Sequence, residues 1–430
     1  MEKSPVSKAR RIKPGATPSG SIGIKAAGAL DRFKRASPSP AAEAANPRSL
    51  LPEPLQQVER TFVLRRGRKL SYFGGCDYFR LSSHPAVLGA WRDGLGRYGL
   101  NVAASRATTG NHWLYETLEK RLAQFFGVES VLLVSCGYLA NLAVAQTLAG
   151  GYSQVLIDER SHASLLDAAQ LFGCPIITFR HLIAEAFAAA VQRCGPAARP
   201  ILLTDGLFSH DGEVAPLDRY LEVLPSAGSV LVDDAHGAGV LGRSGRGTAE
   251  YLRVPDERLI QTITLSKAFG GFGGAILGTR ALRARMIARS RSFSGSTPMP
   301  LPLVCAALAA VKLLQTDRGL RRRLAGKTDH VKRALRKVGL PGAPVPSPII
   351  PFIPRHADQA AMLKRRLLGA GIHPPFIHYP GGPASGFFRF SLSSEHTQPQ
   401  LDGLIRVLGP IAQAEWAGGA GAAGSRRGNK

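Results

Sequence analysis

Thr262-Ile263-Thr264-Leu265-Ser266-Lys267-Ala268-Phe269-Gly270-Gly271-Phe272-Gly273-Gly274 is the stretch around which the chain is organised. A short β-rich run ends in a single lysine, and phenylalanine among four glycines follows. A lysine between a buried strand and a loop poor in side chains is badly placed for a solvated charge. It is well placed to attack a carbonyl, because loss of water shifts an amine toward its neutral, nucleophilic form. The alternative is a surface turn whose lysine has no chemical task. Upstream, Val230-Leu231-Val232-Asp233-Asp234-Ala235-His236-Gly237 ends an apolar strand in an acid and places a histidine just beyond it.

Outward from these two runs, apolar strands alternate with helical stripes. Strands are expected at 130–134, 154–158, 175–179, 200–204, 230–232 and 259–265. Helices are expected after Cys136-Gly137-Tyr138, from His162, over 183–193 and near 217–224. Such alternation indicates a mostly parallel sheet covered on both faces. Beyond Pro298-Met299-Pro300 the pattern changes. Long helices over 303–314 and 320–338 precede a strand at 348–352, a helix over 357–370, a strand at 388–392 and a last helix near 398–409. The chain is therefore divided into a basic, disordered arm (1–56), an N-terminal segment (57–111), a large domain (112–297), a smaller α+β C-terminal domain (298–415) and a flexible tail (416–430). Within the N-terminal segment, two short strands flank the turn Arg66-Gly67, and Ser82-Ser83-His84-Pro85 starts a helix.

The 430 residues carry a formal charge of +25, which alone would suggest nucleic acid or an anionic surface. The excess, however, collects in the N-terminal arm, at the C-terminus and in helical runs such as Arg321-Arg322-Arg323. Solvated arms and helix faces are thus one account of it, and attraction of an acidic carrier protein or of the phosphates of coenzyme A is another. Nucleic acid is not expected. Cys76, Cys136, Cys174, Cys194 and Cys305 are scattered, with no metal-binding spacing, so reduced thiols in the cytoplasm and no metal are expected. The Arg/Ser/Ala-rich start leaves an organellar transit peptide open, and no apolar run reaches membrane-spanning length.

In a parallel sheet, functional groups gather beyond the C-terminal strand ends. Gly137 and Tyr138, His162, Asp205 and Ser209, Asp233 and His236, and Lys267 each follow such an end. A strand-end acid, a histidine and a later strand-borne lysine are what pyridoxal phosphate (PLP) chemistry uses. The lysine bonds the cofactor's aldehyde and the acid pairs with its pyridine nitrogen.

This ordered set resembles the α-oxoamine synthases, a branch of the fold-type-I PLP-dependent transferases, over residues 58–410. The resemblance rests on Ser161-His162-Ala163-Ser164-Leu165-Leu166-Asp167, Phe208-Ser209-His210-Asp211-Gly212-Glu213, the run from Val232 to Val240, Thr264-Leu265-Ser266-Lys267-Ala268 and Ser394-Glu395-His396-Thr397. It implies that Lys267 bonds the cofactor and carries protons, and that Asp233 keeps the pyridine nitrogen protonated. His162 would stack over the ring, and His236 and Ser209 would bond near the phenolic oxygen. Gly137 and Tyr138 would hold the phosphate by their amides, with Thr264 beside them. Ser296 and Thr297 would reach the phosphate from a neighbouring subunit, which implies a homodimer with a shared site. Arg389 would clamp the amino acid carboxylate. The plainer readings are a structural lysine for Lys267, a buried cap for Asp233, a helix-start residue for His162, turn bonds for His236 and Ser209, a helix-entry turn for Ser296 and Thr297, and a surface arginine for Arg389.

Several positions depart from the family pattern. Cys76 replaces an asparagine, Tyr115 a histidine and Asp205 a glutamate. His181-Leu182-Ile183 replaces His-Asn-Asp, His210 replaces a methionine, and His378 stands where part of the family has its carboxylate-binding arginine. The expected reaction is condensation of an amino acid with an acyl thioester on coenzyme A or a carrier protein, with loss of carbon dioxide. Amino-group transfer or a lyase reaction on the same fold is the alternative, and a non-catalytic basic binding protein is the alternative from another class.

Overall fold

The computed structural model describes residues 51–254, 257–340, 345–379 and 382–423. The chain divides into two units, Met1–Pro54 and Leu55–Lys430, and every element below belongs to the second. Up to residue 50 the expected arm lies outside the described residues, as do residues 424–430 of the expected tail.

Three short antiparallel strands come first: β1 (Gln56–Glu59), β2 (Phe62–Arg65) and β3 (Arg68–Ser71). Positive φ at both Arg66 and Gly67 closes the β2–β3 hairpin in the sense that matches strand twist. Helix α1 (Pro85–Tyr98) starts at the expected place, with the His84 ring accepting from the Ala86 amide and proline in the first turn.

Helix α2 (Trp113–Phe126) leads into a seven-stranded sheet ordered β4-β10-β9-β8-β7-β5-β6. Its strands are β4 (Ser130–Val134), β5 (Gln154–Asp158), β6 (Ile176–Phe179), β7 (Pro200–Asp205), β8 (Ser229–Asp233), β9 (Leu259–Thr264) and β10 (Gly274–Gly278). The run from β9 to β6 is parallel, and β10 is antiparallel to both of its neighbours. The crossovers are α3 (Gly137–Leu148), α4 (Ala163–Leu171), α5 (Ala184–Gln192), α6 (Leu217–Val223) and α7 (Thr248–Leu252). Alternate residues of one strand face different cores. Val131 and Leu133 pack with α2 and the later helix α10 (Leu301–Thr316), whereas Leu132 and Val134 pack under α3 and α4. Two elements not anticipated from sequence lie here: β10, and the pair α8 (Arg280–Arg289) and α9 (Arg291–Ser294).

Helix α11 (Arg318–Lys337), β11 (Ile349–Phe352), α12 (Ala357–Gly369), β12 (Phe376–Ile377), β13 (Phe387–Ser391) and α13 (Gln398–Ala423) form the smaller α+β layer, with strand order β11-β13-β12. Helix α13 continues past residue 409, where the pattern suggested an end, into the Gly/Ala-rich stretch. The N-terminal strands join this layer rather than standing apart. Phe73 belongs to its core, and Ser71 and Phe73 exchange backbone hydrogen bonds with Gly371, His373 and Ser391.

Candidate active site

The C-terminal ends of β4, β5, β7, β8 and β9 converge on a cavity of about 230 Å³. Gly137, Tyr138, His162, Asp233, His236, Thr264 and Lys267 all line it, with Cys136, Ser164, Asp205, Ser266, Phe272 and Gly273. A larger cavity of about 810 Å³ opens among Glu129, Leu259 and Gly278, at strand ends remote from Lys267, and holds none of these groups.

Lys267 lies three residues past the end of β9, and Nζ is 2.6 Å from His236 Nε2. Burial pushes the Lys267 amine below its ordinary pKa, and Arg389 adds to that, while Cys76, Asp233 and Asp205 pull the other way. The His236 ring is buried and held well below the usual histidine range, first by desolvation and then by Lys267 and Arg389. On its far side, His236 Nδ1 is 2.7 Å from the Tyr78 hydroxyl.

Asp233 ends β8. Its carboxylate accepts from Asn141 Nδ2 at 2.7 Å and from the Ala235 amide at 3.0 Å, and Ser164 Oγ lies 3.5 Å away. Asn141 is itself fixed, because its oxygen accepts from Thr262 Oγ1 at 2.7 Å. His162 caps α4 and its amide donates to Asp205 Oδ2 at 2.8 Å. The Asp205 carboxyl is pushed well above the usual range by burial and by Asp233. Burial likewise lowers the His162 imidazole.

At the other end of the cavity α3 begins. Cys136 at its N-cap makes no side-chain hydrogen bond to this twelve-residue helix, and Gly137 and Tyr138 of its first turn line the site. A Cβ at Gly137 would stand 2.8 Å from Thr264 Cβ, so only glycine allows the helix start to lie against β9. Thr264 Oγ1 pairs with Ser266 Oγ at 2.8 Å.

The other expected residues lie further out. Ser209 is buried, lies near Tyr379 and is not among the residues that line the cavity. Arg389 on β13 sits 5.6 Å from the centre of the Tyr379 ring, and its Nε is buried without a hydrogen-bond partner. Ser296 Oγ donates to the Ser292 carbonyl at 2.6 Å, and the exposed Thr297 accepts from Ser135 Oγ at 2.7 Å through its carbonyl, two residues before the start of α3. Among the departures from the family pattern, only Asp205 lines the cavity. Tyr115 is buried and braces the Met299 carbonyl at 2.7 Å, and His378 packs edge-on to Phe376. Tyr78, Asn141, Ser164 and Tyr379 were not singled out by sequence. Asn141 had a signal, since it lies four residues after Gly137 and hence on the same side of α3.

The donor set fits PLP. An uncapped helix start suits a phosphate, a fixed carboxylate suits a pyridine N–H, and a buried amine suits an aldehyde. A mostly parallel sheet carrying this set at its strand ends, with a smaller α+β layer beside it, defines a fold-type-I PLP-dependent transferase. The sequence matches the family model described as Aminotransferase class I and II over residues 79–408. It is 35% identical over 345 residues to the 8-amino-7-oxononanoate synthase of Thioalkalivibrio sulfidiphilus, covering 80% of this chain and 88% of that one. The serine palmitoyltransferase of Sphingomonas wittichii superposes with a TM-score of 0.81 at 27% identity, over 91% of this chain and 100% of its own. That of S. paucimobilis, with a PLP–myriocin aldimine bound, gives 0.78 at 26% identity, over 84% and 92%. The chain belongs to the α-oxoamine synthase family, the PLP-dependent acyltransferases that condense an amino acid with an acyl thioester.

Proposed function

We propose that this chain joins the α-carbon of an amino acid to the acyl carbon of a thioester, with loss of the amino acid's carboxylate as carbon dioxide, leaving an α-amino ketone. The observation that carries this is a buried lysine amine, 2.6 Å from His236 Nε2, in one cavity with Asp233 and an uncapped helix start. When bound, PLP supplies an electron sink for the bond broken at the α-carbon. Lys267 would bond its aldehyde carbon. Once freed, the Lys267 amine, kept below its ordinary pKa by burial, has the neutral form needed to take up a proton at Nζ. Asp233, positioned by Asn141, would hold the ring N–H. The Gly137 and Tyr138 amides, with Thr264, would bind the phosphate. Arg389 has an unpartnered Nε for the substrate carboxylate, and His162 and Ser209 would limit the poses open to ring and substrate.

The same proposal has two further parts. Thr297 and its neighbour Ser296 would complete the phosphate site of a second copy, giving a homodimer with shared sites. A chain of +25 charge suits the phosphates of coenzyme A or an acidic carrier protein. No helix among the described residues is long and apolar enough to cross a membrane, and we place the reaction in the cytoplasm.

The test incubates PLP-loaded protein with a panel of amino acids and acyl thioesters, following free thiol and carbon dioxide together. Release of both with one pairing is expected. Amino-group transfer to a keto acid without thiol release would overturn the proposal.

A further inference from the structure

Two buried carboxyls stand side by side in the cavity, and the chemistry above uses only one of them. Asp205 ends β7, Asp233 ends β8, and the two are register partners on adjacent parallel strands. Register partners send their side chains to the same face of a sheet, from strands about 5 Å apart. Both acids are buried and both line the cavity. Among the described residues neither forms an ion pair. Lys267, the amine in the cavity, has its Nζ on His236 Nε2 at 2.6 Å. Two buried carboxylates this close repel, so one of them keeps a proton. The hydrogen bonds say which. Asp233 accepts from Asn141 Nδ2 at 2.7 Å and from the Ala235 amide at 3.0 Å, whereas Asp205 accepts only from the His162 amide, at 2.8 Å on Oδ2. Donors favour the charged form, so the charge settles on Asp233 and the proton on Asp205.

We propose that Asp205 is a positioning residue that works as a neutral acid, fixing His162 through one oxygen and giving the cavity an O–H donor through the other. Oδ2 accepts from the His162 amide where α4 begins, which fixes the backbone that carries the His162 ring. Oδ1 carries the proton and has no protein acceptor among the described residues, so it is free to donate to an acceptor oxygen of whatever fills the cavity. Neutrality also sets the charge of the site. Asp233 is left as the one carboxylate for a ring N–H, and no second carboxylate holds Lys267 as an ammonium. Burial and Asp233 both push the Asp205 carboxyl well above the usual range, in agreement with the geometry. The family pattern has glutamate here, and the shorter aspartate keeps the carboxyl one methylene closer to the strand ends. The effect on the cofactor rests on the PLP reading above; the proton on Asp205 does not.

Other titratable groups face Asp205. Asp158 comes from the end of β5, His162 from the loop beyond it, Asp233 from β8, Lys267 from beyond β9 and Tyr379 from beyond β12. All are unchanged in the variants of Asp205 below, so differences between those variants isolate it.

The experiment starts with the full chain without cofactor at pH 7, as an infrared difference between wild type and Asp205→Asn. The C=O stretch of a protonated carboxylic acid is expected in the wild type and absent from the variant. Loss of a carboxylate band instead would overturn the proposal. Reductive methylation of Lys267 with formaldehyde, read by peptide mass spectrometry over a pH series, gives a second measure. Asp205→Asn is expected to move that profile by less than about 0.3 pH unit, a twofold change. A move of about one unit to lower pH would show a charged Asp205 holding the proton on Lys267, and the neutral acid would be wrong. Positioning is read from PLP titrations of the visible cofactor band. Asp205→Ala is expected to weaken binding by about tenfold, and Asp205→Asn to recover at least half of the loss, because its amide still accepts from His162 and donates to the cavity. An asparagine no better than alanine would refute the positioning role. Should Asp205→Asn fail to fold, Asp205→Glu keeps an acid on a longer tether and is expected to shift the acid band; an unchanged spectrum in that region would overturn the assignment. Lys267 is checked separately. A visible cofactor band that survives Lys267→Ala would remove the reacting-amine assignment and leave the infrared result standing.

Discussion

Around Asp233, Asn141 and Ala235 donate within 3.0 Å while Ser164 stands further off, so Asn141 is the side chain that decides where the carboxylate points. An acid buried this deeply loses about 1–3 kcal/mol when a donor is removed. Asn141→Ala is therefore expected to weaken PLP binding by about 10- to 100-fold. Titration of the visible cofactor band would measure it, and an unchanged affinity would mean that the Ala235 amide alone fixes the acid. Lys267, Asp233, His162 and His236 were legible as candidates because each ends an apolar strand or lies within four residues of its end, where a charged or polar group is conspicuous. Asn141 was not, because its one signal, a place four residues after Gly137 in an Ala/Leu-rich helix, does not show what it binds. Its role comes from Thr262 and Asp233, which are distant in sequence. The same holds for Tyr78, whose partner His236 is 158 residues away.

Continuous apolar runs gave away β4 to β9 because a strand buried on both faces leaves little room for polar residues. Strand β10 escaped because glycine stands at both of its ends and only Ala275-Ile276-Leu277 carry side chains between them. The glycine at its start has a purpose that only the fold reveals. A Cβ at Gly274 would lie 2.4 Å from the Cys136 carbonyl oxygen and 2.7 Å from the Gly137 nitrogen. Both are backbone atoms at the start of α3, and neither can rotate away. Gly274→Ala is expected to cost about 1–3 kcal/mol and to pry β10 from the amides offered to phosphate. Gly326 is the contrasting case, exposed within α11 with nothing within 4 Å of a Cβ. Gly326→Ala is expected to stabilise by about 0.5–1 kcal/mol, through helix propensity alone. Denaturant melts would show the two alanines moving the midpoint in opposite directions. Weaker cofactor binding is expected only for Gly274→Ala, and two equal, same-sign shifts would refute the account of β10.

At the scale of the whole described molecule, the N-terminal strands are tied to the C-terminal layer, and His396 is at the knot. Its ring stacks on Phe73 with centroids 4.2 Å apart. Nδ1 accepts from the Ser393 amide at 2.9 Å, and Nε2 reaches the Tyr72 carbonyl at 2.9 Å. With the Tyr72 carbonyl as an acceptor, the ring must be neutral with its proton on Nε2. Burial, followed by Arg80, lowers its pKa from 6.5 to about 3, and the bond to Tyr72 opposes that only in part. A folded-state pKa below the unfolded value means that the unfolded chain binds more protons between about pH 6.5 and 3. The stability His396 contributes is complete above pH 6.5 and drains away as the pH falls through that window, on the order of 5 kcal/mol at full extent. His236 adds to the same acid limb, whereas Asp234, raised by burial to about 6, works against it by holding its proton in the folded state. The difference between wild type and a His396 variant is therefore what isolates the knot. Glutamine can accept from Ser393 and donate to Tyr72 but cannot be protonated in this range. His396→Gln is expected to lower stability at pH 7, where the stack on Phe73 is lost, and to flatten the decline from pH 6.5 toward 4. Urea unfolding at a series of pH values measures both. A variant whose stability fell with acid as steeply as the wild type would place the acid sensitivity elsewhere, in His236 and the active site, and not where the first strands meet the last helix.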